Sequence, residues 1–386
     1  LKIAYLGSPV LPSRSAHSVH MMKMCSALSD IGHEVYLIGA MRGEESEDVW
    51  EYYGVKNSFD IIYVPKPYPN LPIVPEVYLK AGGNVVNSWR SVKEAAKIGP
   101  DLVYTRNETT AYLACLKGLY TIYESHVPVP FEQLGRCRNI LFKRLLKSER
   151  FLLLVVISES IKKYHEYRYN IDPDRILLAR DAADPVDPSI TPIDFDDDKE
   201  VQVGYIGNLY EGRGRGIIQS MVQECGHAHF HVVGGSRDDI EGWKRSIKKD
   251  NITFHGFVPP SEIDRYRSSF DVLLAPYQRE LRVDGGQNTV RWMSPLKIFE
   301  YMATGKPMLA SDLPAIREIL VDGETALLCD PDDPQEWIDA LNRLRDKELR
   351  DKIGERAKKE FHERYTWKKR AEMIIHRANE LKEGKG

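Results

Sequence analysis

The chain has 386 residues, past the roughly 250–300 at which one hydrophobic core stops growing, so two domains are expected. Hydrophobic residues supply 42% and aromatics 10%, which fills two cores and excludes a disordered or fibrous chain. With Lys+Arg 54 against Asp+Glu 57 the formal net charge is -3, so no overall positive field draws nucleic acid and any anion needs a local site.

The sequence opens on Leu1-Lys2-Ile3-Ala4-Tyr5-Leu6, which reads as a buried strand rather than a signal peptide. Gly7 and Ser8 end it, and Ser13–Ser18 lead into a helix beginning near Val19, with apolar residues at Val19, Met22, Met24, Ala27, Leu28 and Ile31. Further strands are expected at Glu34–Ile38, Ile61–Val64, Leu102–Tyr104, Tyr120–Tyr123, Phe151–Ile157 and Arg175–Leu178. Between them, Pro65, Pro67, Pro69, Pro72 and Pro75 make Val64–Tyr78 an extended apolar loop. The segment Arg136–Arg150 carries six basic residues against Glu149 alone, interleaved with Ile140, Leu141, Phe142, Leu145 and Leu146. Two readings of it stay open: a helix with one core face and one solvated face, or a surface that rests on an anionic leaflet and meets a lipid-linked acceptor.

From Asp181 to Glu200 the rhythm breaks, with Pro185, Pro188, Pro192, eight acidic side chains and one lysine, a composition that suits an interdomain linker. A second alternation follows, with strands at Val201–Ile206, His229–Val233, Ile252–Phe254, Val272–Ala275, Pro307–Ala310 and Ala326–Leu328. Three closing helices are expected at about Pro334–Arg345, Glu348–Glu363 and Trp367–Leu381. Strand–helix alternation on this scale means parallel sheets covered by helices, here as two Rossmann-like α/β domains. Such pairs bind ligands in the cleft between them, at the carboxyl ends of the strands. The five cysteines are scattered without C-x-x-C or Cys/His spacing, so no disulfide framework or zinc site is expected, and reduced thiols in cytoplasm are. The longest apolar run, Phe151–Ile157, is far short of the ~20 residues that span a bilayer.

Chemistry concentrates in Ser294-Pro295-Leu296-Lys297-Ile298-Phe299-Glu300-Tyr301-Met302-Ala303-Thr304-Gly305-Lys306-Pro307. Ser294 and Pro295 read as the cap and first residue of a helix, and Gly305 as its stop. A helix N-terminus opening into a cleft is ready to hold a diphosphate on its free N–H groups. Glu300, one and a half turns inside, is placed to accept two hydrogen bonds from a vicinal diol such as ribose. The competing reading is a solvated glutamate on an amphipathic helix.

This segment resembles the donor-binding helix of retaining glycosyltransferases of the GT-B fold, family four, whose signature is Glu-x7-Glu before an Ala-x-Gly-x-Pro turn. Glu300 matches the second glutamate, which in the family holds the ribose. The first would fall at Trp292, and Asp284 and Gln287 nearby are candidates to replace its contact. Gly204-Tyr205-Ile206-Gly207-Asn208-Leu209 followed by Arg213-Gly214 resembles the family's Gly-Arg-Leu...Lys-Gly element, whose two cations neutralise the donor diphosphate. Here Asn208 stands at the arginine and Arg213 at the lysine, with Arg215 a candidate second cation. Val232-Val233-Gly234-Gly235 resembles the glycine turn beside the nucleobase, and Asn251–Val258, with Phe257, the element that brackets the base. Ala179–Asp184 occupies the place of the hinge sequence, and Tyr365-Thr366-Trp367 resembles the start of the helix that crosses back to the first domain. The domains implied are therefore 1–184 with about 367–386, and 185–366.

In the first domain the resemblance places the Gly7-Ser8 turn, continuing through Ser15, Ala16 and Ser18, under the donor sugar. Arg14, His17 and His20 then face the acceptor, with an exposed loop as the alternative. His126, after the strand Tyr120–Tyr123, matches a histidine near the sugar's 6-hydroxyl, against the alternative of a structural histidine. Arg106, also at a strand end, is placed to bind an anionic acceptor group.

The resemblance implies an enzyme that transfers a sugar from a UDP- or GDP-sugar to a glycan or lipid-linked acceptor, with no cofactor, no metal and no nucleic acid. In its front-face mechanism the leaving phosphate takes the acceptor's proton, and Arg213 with the helix N-terminus at Ser294, Pro295 and Leu296 meets the growing charge. A nucleotide-sugar epimerase or hydrolase of the same fold, and a degenerate nucleotide-binding scaffold suggested by Trp292 and Asn208, are the alternatives. The implied location is the cytoplasm, with peripheral contact at the inner face of the membrane left open.

Overall fold

The computed structural model describes residues 1–43, 48–64, 76–129, 135–195, 199–209, 211–281 and 288–384, with backbone alone at 76–83 and 135–137. The chain divides into two compact units, Leu1–Arg180 with Trp367–Gly386, and Asp181–Thr366. The first division falls four residues before the expected end at 184, because Ala183 already bridges Thr366 within the second unit.

Unit 1 begins with β1 (Lys2–Leu6), β2 (Val10–Leu11), α1 (Ala16–Asp30), β3 (Glu34–Arg42), α2 (Val49–Tyr53) and β4 (Asp60–Tyr63). It continues through α3 (Glu76–Ile98), β5 (Leu102–Thr105), α4 (Glu108–Leu116), β6 (Thr121–Ser125), α5 (Gly135–Leu146), β7 (Phe151–Val156), α6 (Glu159–Tyr169) and β8 (Ile176–Leu178). The strands form one parallel sheet, in the order β3-β1-β5-β6-β7-β8, with β2 and β4 also paired to β3. All six residues of β7, Phe151-Leu152-Leu153-Leu154-Val155-Val156, are fully buried, as a strand covered on both faces requires. The order reverses at β1, so the crevice outside the carboxyl ends of β1 and β5 is the switch point where α/β sheets bind ligands.

Helix α1 starts three residues before Val19, because Ser15 caps it by accepting from the His17 N–H at 3.3 Å. His17 therefore sits in the first helical turn. Strand β3 runs on to Arg42 beside β2, a pairing too short to leave a two-residue period. Glu76–Tyr78 belong to α3 rather than to an extended loop, and the proline-bearing residues 65–75 lie outside the described residues. Within α5, Phe142 and Leu145 are buried while Ile140 is 54% exposed, so the helix has a core face. Among the described residues no helix is long and apolar enough to cross a membrane, and Cys25, Cys115, Cys225 and Cys329 are free thiols.

Unit 2 holds β9 (Val201–Ile206), α7 (Arg215–Glu224), β10 (Ala228–Val233), α8 (Arg237–Ser246), β11 (Ile252–Gly256), α9 (Ile263–Ser269) and β12 (Val272–Ala275). It closes with α10 (Leu296–Thr304), β13 (Met308–Ser311), α11 (Pro314–Arg317), β14 (Leu327–Cys329), α12 (Pro334–Arg343) and α13 (Lys347–Arg364). Its sheet is parallel in the order β11-β10-β9-β12-β13-β14, with the reversal at β9 and β12. The stretch expected as a linker is a strap on this unit. Phe195 stacks on His231 at 3.9 Å between ring centres and lies parallel to Phe270, and the Thr191 carbonyl accepts from Arg265. Its acidic composition concealed one aromatic anchor.

The last helix, α14 (Trp367–Glu383), packs in unit 1 against α1 and β7. Its buried Arg370 donates to the Arg180 and Ala179 carbonyls at 2.9 and 3.2 Å.

Candidate functional site

In unit 2 the candidate site lies at the switch point between β9 and β12. Gly207 leaves β9 with φ +146° and Gly234 leaves β10 with φ +107°; a Cβ on Gly234 would stand 2.4 Å from the Gly207 carbonyl oxygen. Two backbones can lie this close only without side chains. The Gly234 N–H donates to the Gly256 carbonyl at 2.6 Å, and Phe257, 39% exposed, follows at the rim. Tyr205 donates its hydroxyl to the Asn208 carbonyl at 2.6 Å, leaving the Asn208 side chain exposed on the turn.

Beyond that turn, the Gln278 N–H donates to the Gly212 carbonyl at 3.0 Å, and Gly214 presses on Pro276. These clamps hold the Arg213 guanidinium 5.2 Å over the Tyr277 ring. Leu209 and Glu211 to Gly216 line a cavity of about 480 Å³ with Asp238, Asp239 and Trp243. Arg215 turns away from the expected role. It donates to the Gly242 carbonyl and the Ser246 hydroxyl, both at 2.6 Å.

Helix α10 is fixed to β9 by the Tyr301 hydroxyl, which accepts from the Ile206 N–H at 3.1 Å. Gly305 ends it in the left-handed region, as expected. Its start differs from the sequence expectation. Pro295 is the cap residue and makes no side-chain cap bond, while the buried Ser294 hydroxyl accepts from the Asp181 N–H at 2.9 Å. Among the described residues no side chain caps the N–H groups of Leu296 and Lys297, which suit an incoming anion.

Glu300 is neither fully solvated nor isolated. Its carboxylate lies 3.8 Å from Arg267, which also pairs with Asp264. Burial alone would lower the Arg267 pKa, but Glu300 and Asp264 raise it. Lys297, one turn before Glu300, carries its ammonium 3.9 Å over Tyr205 and 5.6 Å from Tyr277. Burial and the neighbouring Arg213 hold that ammonium well below the usual lysine range, against the opposing pull of Glu300. Sequence reasoning assigned Lys297 no role. The available signal was a cation in the first turn of a helix, where the dipole disfavours one. Trp292 sits in a turn, its N–H donating to the Thr289 carbonyl at 2.9 Å and its ring beneath Arg291. Asp284 and Gln287 lie outside the described residues.

In unit 1, Arg106 and His126 follow β5 and β6 at the carboxyl edge of the sheet, and His17 joins them from the first turn of α1. The hub is Glu124, fully buried at the end of β6. One carboxylate oxygen meets His126 and, at 3.1 Å, His20; the other meets Tyr104 and, at 3.0 Å, Arg370. Burial would raise the Glu124 pKa, but Arg370, His20 and His126 together hold it well below the usual carboxylate range. The His17 ring is lowered to about 3, by burial first and then by Arg106, His20 and His126. Arg106 has its Nε and one terminal nitrogen buried without a hydrogen-bond partner among the described residues. A guanidinium in that state suits an incoming anion.

Glu124 is a further group that sequence reasoning left without a role. Its partners come from α1, β5, β6 and α14, and that spacing leaves no local pattern. His20, Glu124 and His126 also place three ligand atoms within 4.8 Å of one another, a set able to approach a metal, although Arg370 already neutralises the carboxylate. Arg14 and Ser8 are exposed, and Ser8 accepts from Asn87. The Gly7 N–H donates to the Ile38 carbonyl at 3.1 Å.

The profile of Glycosyltransferase Family 4 matches residues 17–184, and that of Glycosyl transferases group 1 matches residues 200–347. The chain belongs to these glycosyltransferases. It is 24% identical over 151 residues to spore coat protein SA of Bacillus subtilis (strain 168), covering 38% of this chain and 34% of that one. It is 31% identical over 117 residues to the D-inositol 3-phosphate glycosyltransferase of Corynebacterium diphtheriae, covering 30% of this chain and 24% of that one. The chain thus matches about a third or less of the length of these curated relatives. Among solved structures, a glycosyltransferase from Rickettsia africae ESF-5 superposes with a TM-score of 0.71 at 14% identity, covering 98% of both chains. Anabaena HepE in complex with UDP-glucose gives 0.69 at 14% identity, covering 98% of this chain and 100% of that one. These likenesses establish the fold, GT-B, with two parallel-sheet α/β domains.

Proposed function

We propose that this glycosyltransferase moves a sugar from a nucleoside diphosphate sugar, UDP- or GDP-linked, to an acceptor hydroxyl with retention of anomeric configuration. The observation that carries the reading is the arrangement in unit 2: Arg213 over Tyr277, beside a helix whose first N–H groups have no side-chain cap, with Glu300 one turn inside. A diphosphate supplies the charge that these donors lack, and a ribose diol supplies hydroxyls to the carboxylate. The leaving phosphate takes the acceptor's proton, so the protein's task is electrostatic stabilisation of the departing diphosphate rather than general-base chemistry. His126, oriented by Glu124, contributes to the transfer step, and Arg106 receives an anionic group of the acceptor. The acceptor is a glycan or a lipid-linked saccharide.

The diphosphate has protein cations for partners, so transfer is expected to need no divalent metal. The test is a panel of UDP- and GDP-sugars incubated with glycan and glycolipid acceptors, with and without a strong chelator, and the product's anomeric configuration read by NMR. Retention with activity preserved in chelator is expected. Inversion, or loss on chelation restored by magnesium or manganese, contradicts the mechanism. Trp292 and Asn208 favour a second reading, a scaffold that binds donors without turnover, and tight nucleotide binding with no product across the panel would establish it.

A further inference from the structure

We propose that Lys297 is the second cation of the diphosphate site, standing in for the charge that Asn208 lacks. The inference rests on the reading that unit 2 binds a nucleoside diphosphate. The other candidate, Arg215, is engaged with Gly242 and Ser246 on α8, so a diphosphate would have to break two short hydrogen bonds to recruit it.

Lys297 is placed for the role by three independent features. Its ammonium stands beside the glycine that ends β9: a Cβ on Gly207 would come within 3.0 Å of Nζ. The turn carrying Asn208 and the loop carrying Arg213 begin at that glycine, so the ammonium lies at the root of both. Second, Lys297 and Arg213 address the same ring, Tyr277, at 5.6 and 5.2 Å. Two cations converging on one ring repel each other unless an anion enters between them. Third, Lys297 makes no hydrogen bond or ion pair among the described residues, only contacts with the faces of Tyr205 and Tyr277. It also stands in the first turn of α10, where the helix dipole opposes a cation and favours an anion. A half-buried ammonium under these three pressures gains most from a doubly charged ligand. Its pKa, held below the usual lysine range by burial and by Arg213, agrees with this, and an anion placed between the two cations would raise it.

The experiment compares the intact wild-type protein with Lys297→Met and Lys297→Arg, using UDP and GDP against uridine and guanosine as calorimetric probes. Lys297→Met is expected to weaken the preferred diphosphate about ten- to a hundredfold while leaving its nucleoside unchanged, and to melt at or above wild type because a cation opposed by Arg213 and the helix dipole is gone. Lys297→Arg is expected to recover part of the affinity. Wild-type binding matched within twofold by Lys297→Met, or an equal loss for diphosphate and nucleoside with a lower melting point, makes Lys297 a structural partner of Tyr205 and overturns the inference alone. Failure of wild type to bind either diphosphate removes the site itself, and the inference with it.

Discussion

On the proposed reading Arg213 and His126 separate binding from catalysis at the level of single residues. Arg213 would oppose the charge that grows on the leaving diphosphate, so Arg213→Ala should cost more in kcat than in affinity for the nucleoside part of the donor. Arg213→Lys should restore part of the rate, since charge counts as well as fork geometry; steady-state kinetics on the pair checks this, and full activity in Arg213→Ala would deny the role. His126 belongs to unit 1 and the residues proposed to bind the nucleotide belong to unit 2. His126→Ala should therefore keep nucleoside diphosphate affinity within about threefold while lowering turnover ~100-fold, the signature of an interaction made near the transition state. Unchanged turnover would return His126 to a structural role. Both residues were legible in the sequence as strand-end or glycine-loop positions. Lys297, Glu124 and the true placement of Ser294 were not, because each is defined by a partner far away in the chain.

At the level of elements, one buried carboxylate ties α1, β5, β6 and α14 together in unit 1. Arg370 reaches Glu124 from α14, and neither group has water to fall back on. Arg370→Met leaves the carboxylate buried with Tyr104 and two histidines but without its arginine, and should cost about 3–5 kcal/mol of unit 1 stability, read by denaturant unfolding; adding Glu124→Gln should return much of it. Acid adds a second test. His165 on α6 is buried against Phe142 and Tyr169, and burial lowers its pKa from 6.5 to about 3. Between those values the unfolded chain binds the proton and the folded one does not, so stability is complete above pH 6.5 and falls as pH drops toward 3. Glu124, depressed below 4.5, adds a loss at the lower end of the range. Melting curves from pH 8 to 4 should show this slope, and His165→Phe should flatten its upper part; an unchanged slope would place the acid sensitivity elsewhere. Strands and closing helices were read from the sequence to within a few residues, because buried parallel strands leave unbroken apolar runs. The strap 185–195 was misread as a linker because proline and acid dominate its composition, whereas Phe195 and the Thr191 carbonyl dock it on unit 2.

Each unit has its own parallel sheet with a switch point: unit 2 presents cations, a helix start without a side-chain cap among the described residues, and Glu300, and unit 1 presents His126, Arg106 and their buried support. Two-domain architecture followed from length and alternation alone, and the GT-B assignment from the order of motifs. The identity of sugar and acceptor has no such signature, since it resides in side chains that meet the ligand rather than in periodic patterns. The central claim is that unit 2 is a nucleoside diphosphate sugar site built on Glu300. Its most direct test is the shift in melting temperature across a panel of UDP- and GDP-sugars for wild type and Glu300→Ala, because a ligand that binds only the folded state stabilises it by mass action. At least one sugar nucleotide should raise the wild-type melting temperature, with Glu300→Ala folded but about ten- to a hundredfold weaker in binding, as the loss of charge-assisted hydrogen bonds of ~1.5–3 kcal/mol requires. A panel without any shift, or Glu300→Ala binding as wild type, would contradict it.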